Sequence, residues 1–134
     1  EGEVPIGAAI GMNGEILASA HNRIEQTHDA TAHAEIQVIK IASDKLKNWR
    51  LNETVLCATL EPCTMCLGAI KQARISTVVF GAGDSRYGAM GSVHDLSGDI
   101  RLGPSIQVIK GIMTEECSRL LKEFFARRRT SGNP

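Results

Sequence analysis

Apolar residues fall along this chain in two rhythms, and the rhythms predict its elements. Two short apolar runs, at 6–10 and 16–20, flank Met12-Asn13-Gly14-Glu15. Asn and Gly both tolerate positive φ, so this segment predicts a β-hairpin. A polar stretch over 23–31 reads as a loop. From 32 to 47 the spacing of Ile36, Ile39 and Leu46 predicts a helix, with Asp29 or Thr31 available to cap its start. Residues 54–60 form a short apolar run that predicts a buried strand. Pro62 then opens a helix reaching about Ala73, since proline is tolerated in a first turn. Strands are predicted at 75–80 and 105–110, joined by a glycine-rich loop over 81–98. The last element is an amphipathic helix over 113–129, with Cys117, Leu120, Leu121 and Phe124 on one face. Strands alternating with helices imply a layered α-β-α sandwich around a central, mixed five-stranded sheet, an α/β fold. Its length of 134 residues suits one domain with one hydrophobic core, spanning 1–134.

Composition narrows the function classes. Fifteen Lys and Arg balance fifteen Asp and Glu, which argues against a protein that coats nucleic acid nonspecifically. The basic charge gathers near the end, where Arg119, Lys122, Arg127, Arg128 and Arg129 face only Glu123. No apolar run approaches the roughly 20 residues needed to span a bilayer, so no membrane role is expected. No basic segment followed by an apolar one marks a secretory signal, and a cytoplasmic location is expected. In a reducing compartment the four cysteines favour metal binding over disulfides. Cys57 and Cys117 lie in apolar stretches and are expected to be small buried hydrophobes.

The chemistry lies in Thr31-Ala32-His33-Ala34-Glu35 and Glu61-Pro62-Cys63-Thr64-Met65-Cys66. Taken alone, Cys63-x-x-Cys66 fits a redox pair, half of a structural zinc site or an open metal site. His33 alone fits a hydrogen-bonded histidine, and Glu35 alone a solvated helix charge. Together they change meaning: three ligands with no fourth at short spacing describe a zinc site that keeps one position open, as catalytic zinc does. Cys63 and Cys66 are three apart and share a helix face, near a helix start that favours thiolates. Two residues apart in mid-helix, His33 and Glu35 would diverge by roughly 200°. Both can face one pocket only if His33 stands at the start of the helix. Glu35 is then placed to shuttle a proton from water to a leaving amine. His-x-Glu followed by Pro-Cys-x-x-Cys is the signature of the zinc deaminases, which act at an amino-bearing ring carbon.

Further stretches sharpen the resemblance. Glu3-Val4-Pro5-Ile6-Gly7-Ala8, Thr59-Leu60-Glu61-Pro62-Cys63, Val79-Phe80-Gly81-Ala82, Gly88-Ala89-Met90-Gly91-Ser92 and Phe124-Phe125-Ala126-Arg127-Arg128 resemble the tRNA-specific adenosine deaminases of bacteria, within the cytidine-deaminase-like superfamily. The resemblance implies a homodimer that converts adenosine to inosine at the wobble position of a tRNA anticodon. It also implies that Asn22 hydrogen-bonds the target base. The 84–92 loop, including Asp84, and the C-terminal helix with Arg127 and Arg128 would contact the anticodon stem-loop. Tyr87 is placed either to stack on a flipped-out nucleotide or to pack as a loop aromatic. Members of the family usually carry an amphipathic helix ahead of the first strand. This chain starts at Glu1, almost at that strand, and the expectation is that the helix is trimmed or replaced by a dimer contact. The rival readings are a free-base or nucleoside deaminase acting on guanine, cytosine or cytidine, and a non-catalytic RNA-binding subunit. The C-terminal arginines speak against the first, and Glu35 against the second.

Overall fold

Asn13 and Gly14 take φ of 55° and 79°, and this pair of left-handed residues folds β1 (Gly7–Met12) back on β2 (Glu15–His21). The computed structural model describes residues 7–111. Along that span follow α1 (Ile24–Thr27), α2 (Ala34–Leu46), β3 (Val55–Leu60), α3 (Thr64–Gln72), β4 (Thr77–Ala82) and β5 (Gln107–Lys110), with a 3-10 turn at Ile100–Leu102. The strands form one sheet in the order β2-β1-β3-β4-β5. β1 runs antiparallel to β2 and β3, whereas β3, β4 and β5 are parallel, so the expected mixed five-stranded sheet is present. The β1–β2 register slips between Ile10 and Gly11, which marks a bulge.

One face of the sheet carries the core. Ile10, Leu56, Val78 and Phe80 pack with Val38 and Ala42 of α2 and with Leu67 and Ile70 of α3. The stripe buried on α2 is Ala34, Glu35, Val38 and Ala42, while Ile39 and Leu46 pack at its flank. Small alanines let the helix lie close to the sheet, and their weak hydrophobic signal is why the spacing of the larger residues pointed slightly off the true face.

The other pleat reads differently. Ala9, Cys57, Val79 and Ile109 stand side by side across four strands, and none of them belongs to the core. Cys57 is exposed, not a buried small hydrophobe as expected. Successive strand residues point to opposite faces, so Leu56 and Ala58 take the helix side and Cys57 takes the other. The continuous apolar run hid this alternation. Both long helices of the described residues cover the same face, and the second helical layer of the expected sandwich is not among them. The expected helix over 113–129, with Cys117, Arg127 and Arg128, lies outside the described residues, as does the stretch before Gly7.

Two boundaries also differ. α2 begins at Ala34 with His33 as its N-cap and no side-chain cap; Asp29 instead accepts hydrogen bonds from the Thr31 amide (2.9 Å) and hydroxyl (2.7 Å) in a local turn. α3 begins at Thr64, and the predicted loop over 23–31 contains the single turn α1.

Candidate active site

β2, β3 and β4 all run in one direction, so the residues that follow them meet at one end of the sheet. Open α/β sheets bind ligands in the crevice outside these carboxyl ends. Asn22 follows β2, Cys63 follows β3, and Asp84 and Tyr87 follow β4. With His33 and Glu35 they line a single cavity of about 340 Å³. Six of the nine residues singled out in the sequence are therefore brought together. Cys66 lies fully buried one turn below Cys63, and Arg127 and Arg128 are outside the described residues.

The two motifs use the same local device. His33 is the N-cap of α2, with φ −67° and ψ 153°, and Cys63 is the N-cap of α3, with φ −82° and ψ 177°. An extended residue just before a helix projects its side chain off the helix axis, while the following first turn brings Glu35 or Cys66 to the same side. This resolves the angular conflict between His33 and Glu35. His33 Nδ1 lies 3.6 Å from Cys63 Sγ and 3.3 Å from Cys66 Sγ. One ligand atom from each of the three residues falls within 4.8 Å of the others. A tetrahedral zinc with Zn–S of about 2.3 Å and Zn–N of about 2.0 Å would separate nitrogen from sulfur by about 3.5 Å, so the observed spacing fits that ion.

Electrostatics at the site follow from burial and from the paired sulfurs. The Cys63 thiol is lowered to about 5, chiefly by a hydrogen bond from Cys66, with help from backbone amides at the start of α3 and from His33. Cys66 is pushed up by that neighbouring sulfur, by burial and by Glu35. Burial also raises the Glu35 carboxyl, which is 4% exposed at the floor of the cavity. Asn22 Oδ1 is buried with no hydrogen-bond partner. An orphaned acceptor facing a cavity costs stability unless a ligand supplies the donor. At the mouth, Asp84 Oδ1 accepts hydrogen bonds from the backbone amides of Arg86 (2.9 Å) and Tyr87 (3.2 Å), and the Tyr87 ring is 64% exposed.

Ile24, Ala34, Leu60 and one acid, Glu61, also line the cavity and were not singled out as site residues by the sequence reading. Glu61 is 2% exposed. It stands at the end of an apolar strand, where periodicity carries no information about an acid. Its adjacency to Pro62-Cys63 was the only available signal.

The profile of the MafB19-like deaminases matches residues 1–129. The chain belongs to the MafB19-like deaminase family. This deaminase is similar to the tRNA-specific adenosine deaminase of Bacillus subtilis (strain 168), with 45% identity over 125 residues covering 93% of this chain and 78% of the relative. It is also similar to the tRNA-specific adenosine deaminase of Streptococcus pyogenes serotype M1, with 39% identity over 127 residues covering 95% and 74%. Among solved structures, it resembles one from studies of A-to-I editing by tRNA:A34 deaminases at the wobble position of transfer RNA. The TM-score there is 0.80 with 38% identity, over 87% of this chain and 85% of that one. A guanine deaminase from Bacillus subtilis is 40% identical with a TM-score of 0.57, but over only 58% of this chain and 50% of that one. The resemblance carried by the sequence motifs is thus matched by named relatives across nearly the whole chain. The deaminase family is zinc-dependent, and the His33–Cys63–Cys66 group has the donor set and spacing for that ion. No helix among the described residues is long and apolar enough to cross a membrane.

Proposed function

We propose that this deaminase converts adenosine to inosine at the wobble position of a tRNA anticodon. The observation that carries the chemistry is the three-donor group beside the buried Glu35 carboxyl in one cavity. The adenosine and the tRNA are supported by relatives that carry those names over most of the chain.

His33, Cys63 and Cys66 would hold one zinc ion, which would supply a Lewis acid able to acidify water near neutral pH. Glu35 acts as general base and then general acid. Its carboxylate takes a proton from the attacking water and delivers it to the purine ring nitrogen. The second proton goes to the departing amine, so that water and adenosine become inosine and ammonia. The raised position of the Glu35 carboxyl suits both directions of transfer. Asn22 offers its unpartnered Oδ1 to a donor on the target nucleotide, which orients the base over Glu35. A base can reach this floor only after leaving its stack, and the exposed Tyr87 ring at the mouth offers a face on which a neighbouring nucleotide stacks. Asp84 holds the Tyr87 segment in its turn, and the resemblance assigns Arg127 and Arg128, outside the described residues, to the anticodon stem-loop. The same reading makes the protein a homodimer, which sedimentation of the purified chain checks.

An anticodon stem-loop with a wobble adenosine separates this reading from its rival. Inosine appears with that RNA, and free guanine, cytosine and cytidine are left unchanged. Turnover of a free base or nucleoside without inosine in the RNA would assign the protein to the other class.

A further inference from the structure

Glu61 has no place in the proton path just described, yet it is the most heavily hydrogen-bonded carboxylate at the site. Its Oε1 accepts from the Asp84 amide at 3.0 Å and from the Ser92 hydroxyl. Its Oε2 accepts from the amides of Met90 at 2.8 Å and Ser92 at 3.1 Å. Four donors thus converge on one buried carboxylate. The loop over 84–92 is wrapped around this one group. Gly88 shows how tightly: a Cβ there would lie 2.5 Å from either carboxylate oxygen. The backbone completes the joint, with Pro62 O accepting from the Ala89 amide at 2.9 Å and Cys63 paired to Gly88 in an antiparallel bridge.

Two parts of the site are therefore fastened at one point. Glu61 and Cys63 belong to the metal-binding stretch, whereas Asp84 and Tyr87, which also line the cavity, ride on the loop. We propose that Glu61 is a positioning residue that fixes the substrate-binding loop against the metal-binding segment, and so sets substrate affinity and not the chemical step. The role rests on the deaminase reading of the cavity. The loop's own turn bonds, from the amides of Arg86, Tyr87 and Gly88 to Asp84, shape it without tying it to the metal-binding segment, whereas the amides of Asp84, Met90 and Ser92 reach across to Glu61.

Glu61→Gln tests this with almost no change in size. Each carboxylate oxygen receives two donors, so either orientation of the amide sets its NH2 group against two of them. Amide hydrogen exchange at Asp84, Met90 and Ser92 accelerates in the free protein. For the stem-loop substrate, KM rises about tenfold, as the loss of a charge-assisted contact worth about 1.4 kcal/mol implies, while kcat stays within about threefold. Zinc remains at one per chain. Ser92→Ala, which removes one donor of four, gives a smaller rise in KM, and Ser92→Thr restores it; this pair answers the question if the Gln variant does not fold. Unchanged exchange at the three amides overturns the clamp. A fall in kcat at constant KM, or loss of zinc, overturns the assignment to binding. The exchange measurement needs no substrate, so a wild-type protein that protects these amides but edits no RNA would overturn the functional reading and leave the clamp standing.

Discussion

His33 and Cys63 do the same thing on two helices. Each is the extended residue immediately before the first turn, and each points into the space between the helix starts. Ligand placement thus depends on two N-cap backbones, which the loop turn at Asp29–Thr31 and the cis-free Glu61-Pro62 step deliver. A histidine that supplies one of only three donors cannot be replaced by its neighbours, because no other group of three His, Cys, Asp or Glu among the described residues offers a comparable cluster. His33→Ala is accordingly expected to carry much less than one zinc per chain, with its circular dichroism spectrum retained. A full zinc complement, measured by atomic emission on the purified variant, would remove His33 from the ligand set. The residues with local signatures were readable in this way from the sequence. Glu61 was not, because its partners are backbone amides 23 to 31 positions further on, and a backbone donor looks the same in every sequence.

Helix α3 does more than present Cys66. From its last turn Lys71, 1% exposed, reaches the carbonyls of Ser97 at 2.8 Å and Pro104 at 2.9 Å, tying the long β4–β5 connection to the helix that holds the metal ligands. Burial lowers the Lys71 ammonium from its ordinary range, opposed by the nearby Asp99. Removing the ammonium relieves that desolvation but leaves two carbonyls without donors, and the second effect is the larger at about 1–3 kcal/mol. Lys71→Met is expected to lower the unfolding free energy by that amount in a denaturant titration; equal or greater stability would mean the buried cation is tolerated and not needed. Element boundaries followed the sequence where glycine and asparagine punctuated the chain, as at the Asn13–Gly14 turn. They drifted where an unremarked residue ended the pattern, as at the single turn α1 and the N-cap of α2. Long-range ties such as Lys71 leave no trace in periodicity, since a helical lysine looks solvated until the loop that covers it is known.

In the molecule as a whole, the order of strands explains why motifs 30 residues apart form one site. β2 and β3 are held on either side of β1 and point the same way, so the chain passes the carboxyl end of the sheet once before α2 and once before α3. Both passages deliver metal-binding residues, and the third, after β4, delivers the loop clamped by Glu61. The alternation of strand and helix was enough to expect this sheet. It could not show which pleat of β3 is open, and Cys57 was misplaced for that reason. The central claim is that one zinc held by His33, Cys63 and Cys66, together with the Glu35 carboxyl, performs hydrolytic deamination of adenosine in RNA. Inosine formation in the anticodon stem-loop, with zinc quantified in the same samples of wild type and Glu35→Ala, tests it most directly. The wild type should form inosine with one zinc per chain, and Glu35→Ala should keep its zinc while losing at least about a hundredfold in turnover, the usual contribution of a general acid–base group. A Glu35→Ala protein that retains its turnover, or a zinc-loaded wild type that forms no inosine, would contradict the account.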